Sequence, residues 1–169
     1  MRLPAVLAMM ILAGWPLLTS AEHANIDLRV VRLQVEQGAA KDQDKATAVA
    51  DEEPPIGGVN PRPLLKVKAK EPLVLQFILT NTYPHGNLKD VTVRYYVVRE
   101  DKPRQKIAPD PKKGAVTQGQ FKMNFKPKCR VGARLAFSIN EPGVYLVRVE
   151  TVNTHSDHEH FSAIDLQVE

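Results

Sequence analysis

Histidines are the residues of this chain best suited to chemistry, and three of the five lie together near the C-terminal end. They are His155, His158 and His160, with Ser and acidic residues between them. Residues two apart on an extended backbone point to the same side, so His158 and His160 could bind one ion. Neutral imidazole is a preferred ligand of Zn and Cu, and His85 or His155 would supply a third. We therefore predict a candidate Zn or Cu site from His158, His160, His85 and His155.

Two other interpretations of this segment stay open. The spacing His-x-x-His-x-His matches no recognised metal motif, and short His-rich tracts are often solvated loops. Clustered imidazoles also titrate near pH 6.5 and can make a surface respond to pH. The chain has no Gly-rich phosphate loop, no nucleophile-elbow Ser and no Cys beside a His. We predict that the protein is not an enzyme and that it needs no cofactor other than this candidate metal.

The N-terminal residues predict export. A basic start is followed by an almost wholly apolar stretch over residues 3–18 and by Thr19-Ser20-Ala21. Small residues at that place are typical of a signal-peptidase site, so we predict cleavage after Ala21. Two prolines and a glycine interrupt the apolar stretch, and it is shorter than the usual membrane span. We expect residues 1–21 to be a signal peptide, residues 22–169 to be one domain, and the protein to be periplasmic or extracellular without a membrane span.

Composition limits the partners. Cys129 is the single cysteine, so no internal disulfide can hold the fold, and its basic neighbours allow a reactive or a merely structural thiol. The net charge is +4, and the Lys and Arg residues are not interleaved with aromatic residues. A stacking platform for single-stranded nucleic acid is therefore absent from the pattern. We predict a protein or a cell-surface component as the partner, and no nucleic acid.

Apolar residues alternate with polar ones along most of the chain, which indicates strands with one buried face. Residues 26–36 change phase between Val30 and Val31, which predicts a bulge or a strand that crosses between sheets. Helical periodicity is nearly absent after the leader. The predicted strands cover residues 26–36 continued by 64–69, then 73–81, 90–99, 121–126, 131–139, 144–152 and 161–168. We predict an all-β sandwich of about seven or eight strands.

Two connections between these strands are long. Residues 37–63 are rich in Ala, Lys, Asp, Glu and Pro and lack an apolar stripe. We expect them to form a mobile insertion, with a short surface helix over residues 39–53 as the alternative. Residues 101–119 form the second long connection, with three prolines.

Two stretches resemble known modules. Residues 66–77, followed by Thr80-Asn81, are similar to the paired early strands of bacterial exported immunoglobulin-like modules. Residues 141–149 resemble their turn into the penultimate strand, with Tyr145 in the tyrosine-corner position. The chain departs from antibody domains because it has no pair of cysteines and its one Trp lies in the leader.

The resemblance implies an immunoglobulin-like antiparallel β-sandwich and gives the histidines a position. In that topology the loop between the second and third strands lies at the same end as the loop between the last two. His85 falls in the first loop, His155 and His158 fall in the second, and His23 precedes the first strand. We expect all five histidines at one end of the sandwich. The resulting prediction is an exported binding or structural module that contacts its partner there, with a Zn- or Cu-binding protein as the alternative.

Overall fold

A computed structural model describes residues 24–36, 39–49, 62–82, 86–105, 108–152 and 160–169. These residues form nine strands in two sheets. The predicted signal peptide and residues 37–38 and 50–61 of the long connection lie outside these ranges. Within the described ranges, no helix is both long and apolar enough to cross a bilayer.

The strands are β1 (Ala24–Glu36), β2 (Ala39–Val49), β3 (Leu64–Val67), β4 (Leu73–Asn81), β5 (Leu88–Glu100), β6 (Ala115–Phe125), β7 (Arg130–Phe137), β8 (Gly143–Val152) and β9 (His160–Val168). The four-stranded sheet has the order β2-β1-β4-β7, and the five-stranded sheet has the order β3-β9-β8-β5-β6. All pairs are antiparallel except β3 with β9, which is parallel. The predicted all-β sandwich is confirmed.

The alternating apolar residues fill the space between the sheets, as the period-2 pattern predicts. β1, β4, β8 and β9 supply side chains with almost no exposure, among them Leu28, Leu75, Val147 and Ile164. β2 and β1 lie over β3 and β9, whereas Phe77 of β4 packs against rings of β5 and β6. The β6 and β7 edges therefore lie on the same side of the sandwich.

The strand order matches the immunoglobulin-like arrangement implied by the resemblance. β1-β4-β7 corresponds to strands A, B and E, and β9-β8-β5 to strands G, F and C. The phase change in the first segment is confirmed as a register shift between Val30 and Val31. The Tyr145 hydroxyl donates to the Glu141 carbonyl oxygen at 3.0 Å, so the predicted tyrosine corner is confirmed.

Two expectations need correction. Residues 39–49 form β2, an edge strand paired with β1, where we expected a helix or an irregular excursion. The polar residues of this segment have low strand propensity, so the sequence did not predict a strand. Its backbone nevertheless pairs with the long neighbouring strand β1, and this pairing depends on tertiary context. The strand predicted over residues 121–126 begins earlier, at Ala115, and ends at Phe125. It pairs with β5 in the five-stranded sheet, whereas the fourth strand of a constant-type immunoglobulin domain lies in the other sheet.

Candidate functional site

Of the four predicted metal ligands, the structure describes only His160. It is the first residue of β9 and is 2% exposed. By strand alternation it shares the core-facing side of β9 with Ile164 and Leu166. His85, His155 and His158 lie outside the described residues.

The strand ends that flank the histidines do gather at one end of the sandwich. Ala24 at the start of β1 pairs with Asn81 at the end of β4. At the end of β8, Thr151 pairs with His160, and the neighbouring Val152 pairs with β5 close to its start. These strand ends therefore lie at the end of the sandwich where the histidines were expected.

The metal site itself stays a prediction. No three His, Cys, Asp or Glu residues come together as a metal-binding group within the described ranges. Cys129 is half-buried in the turn between β6 and β7 as a free thiol.

A pair of buried carboxylates was missed by the sequence analysis. Glu100 at the end of β5 and Asp165 in β9 have fully buried side chains on the outer face of the five-stranded sheet. Arg62 lies between them: its Nη2 donates to both Glu100 carboxylate oxygens at 2.8 and 2.9 Å. Its Nε lies 2.8 Å from Asp165 Oδ1 and forms an ion pair with that carboxylate.

The chain after β5 closes over this carboxylate pair. Arg104 adopts a positive φ of 58°, and its backbone N–H donates to Asp165 Oδ2 at 2.7 Å. The Arg104 Nε donates to the Arg62 carbonyl oxygen at 3.1 Å. Both carboxylates are thus engaged by Arg62 and Arg104 and sealed from water. This arrangement ties β3, β5 and β9 together, which is a structural role.

Burial raises the pKa of Asp165, and the charge of Arg62 only partly opposes this. Burial likewise raises the pKa of Glu100, and the neighbouring Asp165 charge raises it further. Two carboxylates that share one buried guanidinium cannot both be fully compensated. The protonated forms are therefore favoured more in the folded chain than in the unfolded one.

This shift predicts a pH dependence. A carboxyl with a raised pKa binds protons more readily in the folded state, so its contribution to stability increases as pH falls through the range just above the unfolded pKa. We expect wild type to gain stability relative to Asp165→Asn when urea unfolding is repeated at successively lower pH below neutrality. Glu141→Gln, which removes an exposed carboxylate, serves as the control. The quantity to follow is the free energy of unfolding of wild type minus that of Asp165→Asn. If this quantity stays constant with pH, or increases as pH rises, the assignment is contradicted.

The most exposed apolar part of the interior lies between β6 and β7, and we call these two strands with their connecting turn the open side. Among the described strands, β6 pairs only with β5 and β7 pairs only with β4. Apart from Phe125 at the end of β6, which is 1% exposed, the inward-facing apolar residues of both strands are only half-buried, unlike those of β1 and β4. They are Phe121 and Met123 of β6 and Val131, Ala133, Leu135 and Phe137 of β7. This side therefore presents a partly uncovered apolar strip.

Two aromatic side chains lie beneath this strip. The ring of Phe77 lies 6.4 Å from the ring of Tyr95 and 6.4 Å from that of Phe121, and it stacks on the latter. The ring of Tyr95 lies directly against Gly119, and a Cβ at that position would overlap the tyrosine hydroxyl group. Gly119 thus leaves room for an aromatic ring that reaches toward the edge of the sheet.

The open side is strongly basic. Residues 111–140, which contain it, hold seven of the 23 Lys and Arg residues and none of the 19 Asp and Glu residues. Five of the cations belong to β6, β7 or their turn, and all five are exposed: Lys122, Lys126, Lys128, Arg130 and Arg134. The remainder of the chain has more acidic than basic residues, so the positive charge is concentrated on this side.

Asn81 fixes the corner between β6 and β7. Its side-chain Nδ2 donates to the carbonyl oxygens of Gly86, Phe125 and Lys126 at 3.2, 3.3 and 3.1 Å. Its backbone N–H donates to the Cys129 carbonyl oxygen at 3.0 Å. Asn81 is 1% exposed, and its side-chain amide donates to one buried and two part-buried carbonyl oxygens.

We expect Asn81→Ala to lower the free energy of unfolding by about 2–3 kcal/mol, since one buried and two part-buried carbonyl oxygens lose a donor. Urea unfolding followed by circular dichroism measures this. Asn124→Ala is the matched control, because Asn124 is exposed and accepts one hydrogen bond from the Asp90 N–H at 2.8 Å. Equal losses in the two variants would show that the Asn81 amide does not hold the corner.

The sequence contained part of the signal for these features. The absence of acidic residues among the seven cations of residues 111–140 can be read from the sequence, but the exposure of those cations beside an apolar strip cannot. The buried ion pairs were not visible, because Arg62, Glu100 and Asp165 are separated in the chain by dozens of residues. Only the pairing of β3, β9, β8 and β5 brings them together.

No protein-family model matches this chain, and no curated protein matches it in sequence. Solved structures similar to it include the soluble domain of PmoD from Methylocystis sp., at 9% identity and a TM-score of 0.45, covering 84% of this chain and 90% of that one. The CARDB domain of the PF1109 protein from Pyrococcus furiosus, described in complex with di-metal ions, is 10% identical with a TM-score of 0.43, covering 85% and 93%. The C-terminal domain of Wzt is 10% identical with a TM-score of 0.44, covering 87% and 74%.

Similarities this weak carry no argument about function. The sandwich assignment therefore rests on the strand order and register described above.

Proposed function

We propose that this chain is an exported, non-enzymatic binding module whose contact surface for an anionic partner is the open side. The observation that carries the proposal is the coincidence there of exposed cations with a half-buried apolar strip. Single-sign charge steers an oppositely charged partner, and a partly uncovered apolar strip supplies area to bury. The N-terminal pattern of a signal peptide supports export.

The buried carboxylates have a structural explanation that needs no reaction. A pair of acidic residues with raised pKa is one of the usual marks of a catalytic site. Here Glu100 and Asp165 are held by Arg62 beneath the chain that follows β5, with no exposure to a substrate. Their role is accounted for by folding, so they give no support to a reaction.

The test is binding of the purified mature protein to anionic probes, measured by calorimetry at low and at physiological salt. Polyglutamate, heparin and the peptide specified in the next subsection are the probes. We expect at least one to bind, and Arg130→Glu with Arg134→Glu to weaken that binding about tenfold or more. Lys66→Glu with Lys68→Glu, exposed on the opposite side in β3 and just after it, is the matched control. Equal effects of the two charge reversals, or no binding at all, would overturn the proposal.

A second candidate function is binding of Zn or Cu by His158, His160, His85 and His155. The observation that favours it is the meeting of the ends of β4 and β8 with the starts of β5 and β9 at one end of the sandwich. Mature protein would be mixed with Zn(II) or Cu(II) and followed by melting temperature and calorimetry. His158→Ala with His85→Ala is preferred to any change at His160, because His160 is buried and its loss would itself destabilise the fold. Binding that persists in the double variant would exclude these ligands.

A further inference from the structure

β7 is the more regular of the two edges on the open side. Its eight residues pair with β4 without a register shift. The pairing of β6 with β5 shifts register near both ends of that pair. Bulges twist an edge away from further pairing, whereas a regular edge leaves a row of backbone N–H and C=O groups available to another strand. No backbone hydrogen bond on the outer edge of β7 is found among the described residues.

The two faces of β7 differ in chemistry. The core-facing row is apolar and half-buried, from Val131 to Phe137. The solvent-facing row carries Arg130, Gly132 and Arg134, all exposed. A strand added beside β7 would alternate in the same way, because residues two apart share a face.

These faces define the side chains that an added strand should carry. Opposite the apolar row it should place aliphatic residues, which would cover the half-buried strip. Opposite Arg130 and Arg134 it should place Glu or Asp, since oppositely charged cross-strand pairs stabilise a sheet. Opposite Gly132 a small polar residue fits.

A second copy of this chain is a poor occupant. Pairing β7 with β7 of another molecule would bring arginines close to arginines, and like charges facing each other across strands are destabilising. Cations on an edge strand are one of the usual protections against self-pairing. The charge therefore selects an acidic partner.

From this geometry we infer that the partner is an extended acidic polypeptide segment that adds as a strand to the β7 edge. This inference rests on the function proposed above. The sequence of the segment alternates acidic residues with aliphatic ones. An anionic polysaccharide could use the cations but could neither pair with the backbone of β7 nor cover the apolar strip. A peptide can do all three, as in other cases of strand addition.

The experiment uses the synthetic peptide Val-Glu-Val-Ser-Val-Glu-Val with blocked termini, the mature protein, and calorimetry. Two N-methylated forms are compared with it, each lacking the backbone donors of one edge of the peptide. We expect one form to lose about tenfold or more in affinity and the other to bind like the parent, since an added strand pairs through one edge only. We also expect the amides of β7 to become protected from hydrogen exchange when the peptide is bound.

Variants separate charge from pairing. Arg130→Gln with Arg134→Gln should weaken peptide binding about tenfold, and a Lys-for-Glu version of the peptide should not bind. Melting temperatures establish that the variants fold. If either fails to fold, titration of wild type with salt and with the Lys peptide still tests the charge requirement.

Three results would overturn this inference. The first is equal affinity of both N-methylated forms, and the second is unchanged exchange in β7. The third is tight binding of heparin with none of the peptide, which would leave the proposed function standing with a polysaccharide as the partner. Absence of binding to every probe would refute the inference and the proposed function together.

Discussion

Arg62→Ala is expected to lower the free energy of unfolding by about 3–5 kcal/mol, the usual cost of removing one partner from a buried ion pair. Arg62 is the cation that contacts both Glu100 and Asp165, whose side chains are fully buried. Without it two carboxylates would remain out of water with too little compensation. Urea unfolding at neutral pH measures the loss, with the wild-type dependence of the unfolding free energy on urea concentration as the reference.

The matched control is Arg99→Ala, which removes an exposed arginine that pairs with Glu141 at 3.0 Å. Exposed pairs contribute about 0.2–1 kcal/mol, so its effect should be several times smaller. Adding Glu100→Gln and Asp165→Asn to Arg62→Ala should recover part of the loss, because neutral amides cost less to bury than unpaired carboxylates. A small loss for Arg62→Ala, or no recovery in the triple variant, would show that these charges are not sealed from water.

Phe77→Ala is expected to cost about 3–5 kcal/mol, the range for removing a large aromatic side chain from a core. Phe77 is 2% exposed and packs between the two sheets against Tyr95 and Phe121. Its loss would leave a cavity under the apolar strip of the open side. Thermal and urea unfolding give the loss of stability. Calorimetry with the peptide Val-Glu-Val-Ser-Val-Glu-Val shows whether the apolar strip still binds it.

Leu64→Ala is the control for this substitution, since Leu64 is 41% exposed in the short edge strand β3. Surface substitutions usually change stability by about 0.5 kcal/mol or less. If Phe77→Ala cost no more than Leu64→Ala, the two sheets would not be packed through Phe77 as described. If peptide affinity fell while stability was kept, Phe77 would instead act mainly by supporting the open side.

Much of the fold followed from the sequence for a simple reason. Period-2 alternation reports which face of a strand is buried, and that depends on neighbours one or two residues away. β4 was predicted with its observed bounds, and the register shift at Val30 was visible as a phase change. The tyrosine corner at Tyr145 was implied by the resemblance of residues 141–149 to immunoglobulin-like modules. These features are local, so local patterns predicted them.

The failures were of another kind. β2 is polar and has little strand propensity of its own, and it exists as a strand through its pairing with β1. The strand containing Phe121 was located by its alternation, but alternation does not state which sheet a strand joins. Pairing partners are chosen by the whole chain, so no window of sequence could determine them.

The candidate sites divide in the same way. The sequence by itself determined that histidines are concentrated near the C-terminus and that residues 111–140 hold seven cations and no acidic residue. It also predicted an export signal at the N-terminus. Only the tertiary structure decided that Arg62 would meet Glu100 and Asp165, and that β6 and β7 would be edges on one side. Composition and short spacings are properties of the chain, whereas burial and edge position arise only when distant strands pair and two sheets pack face to face.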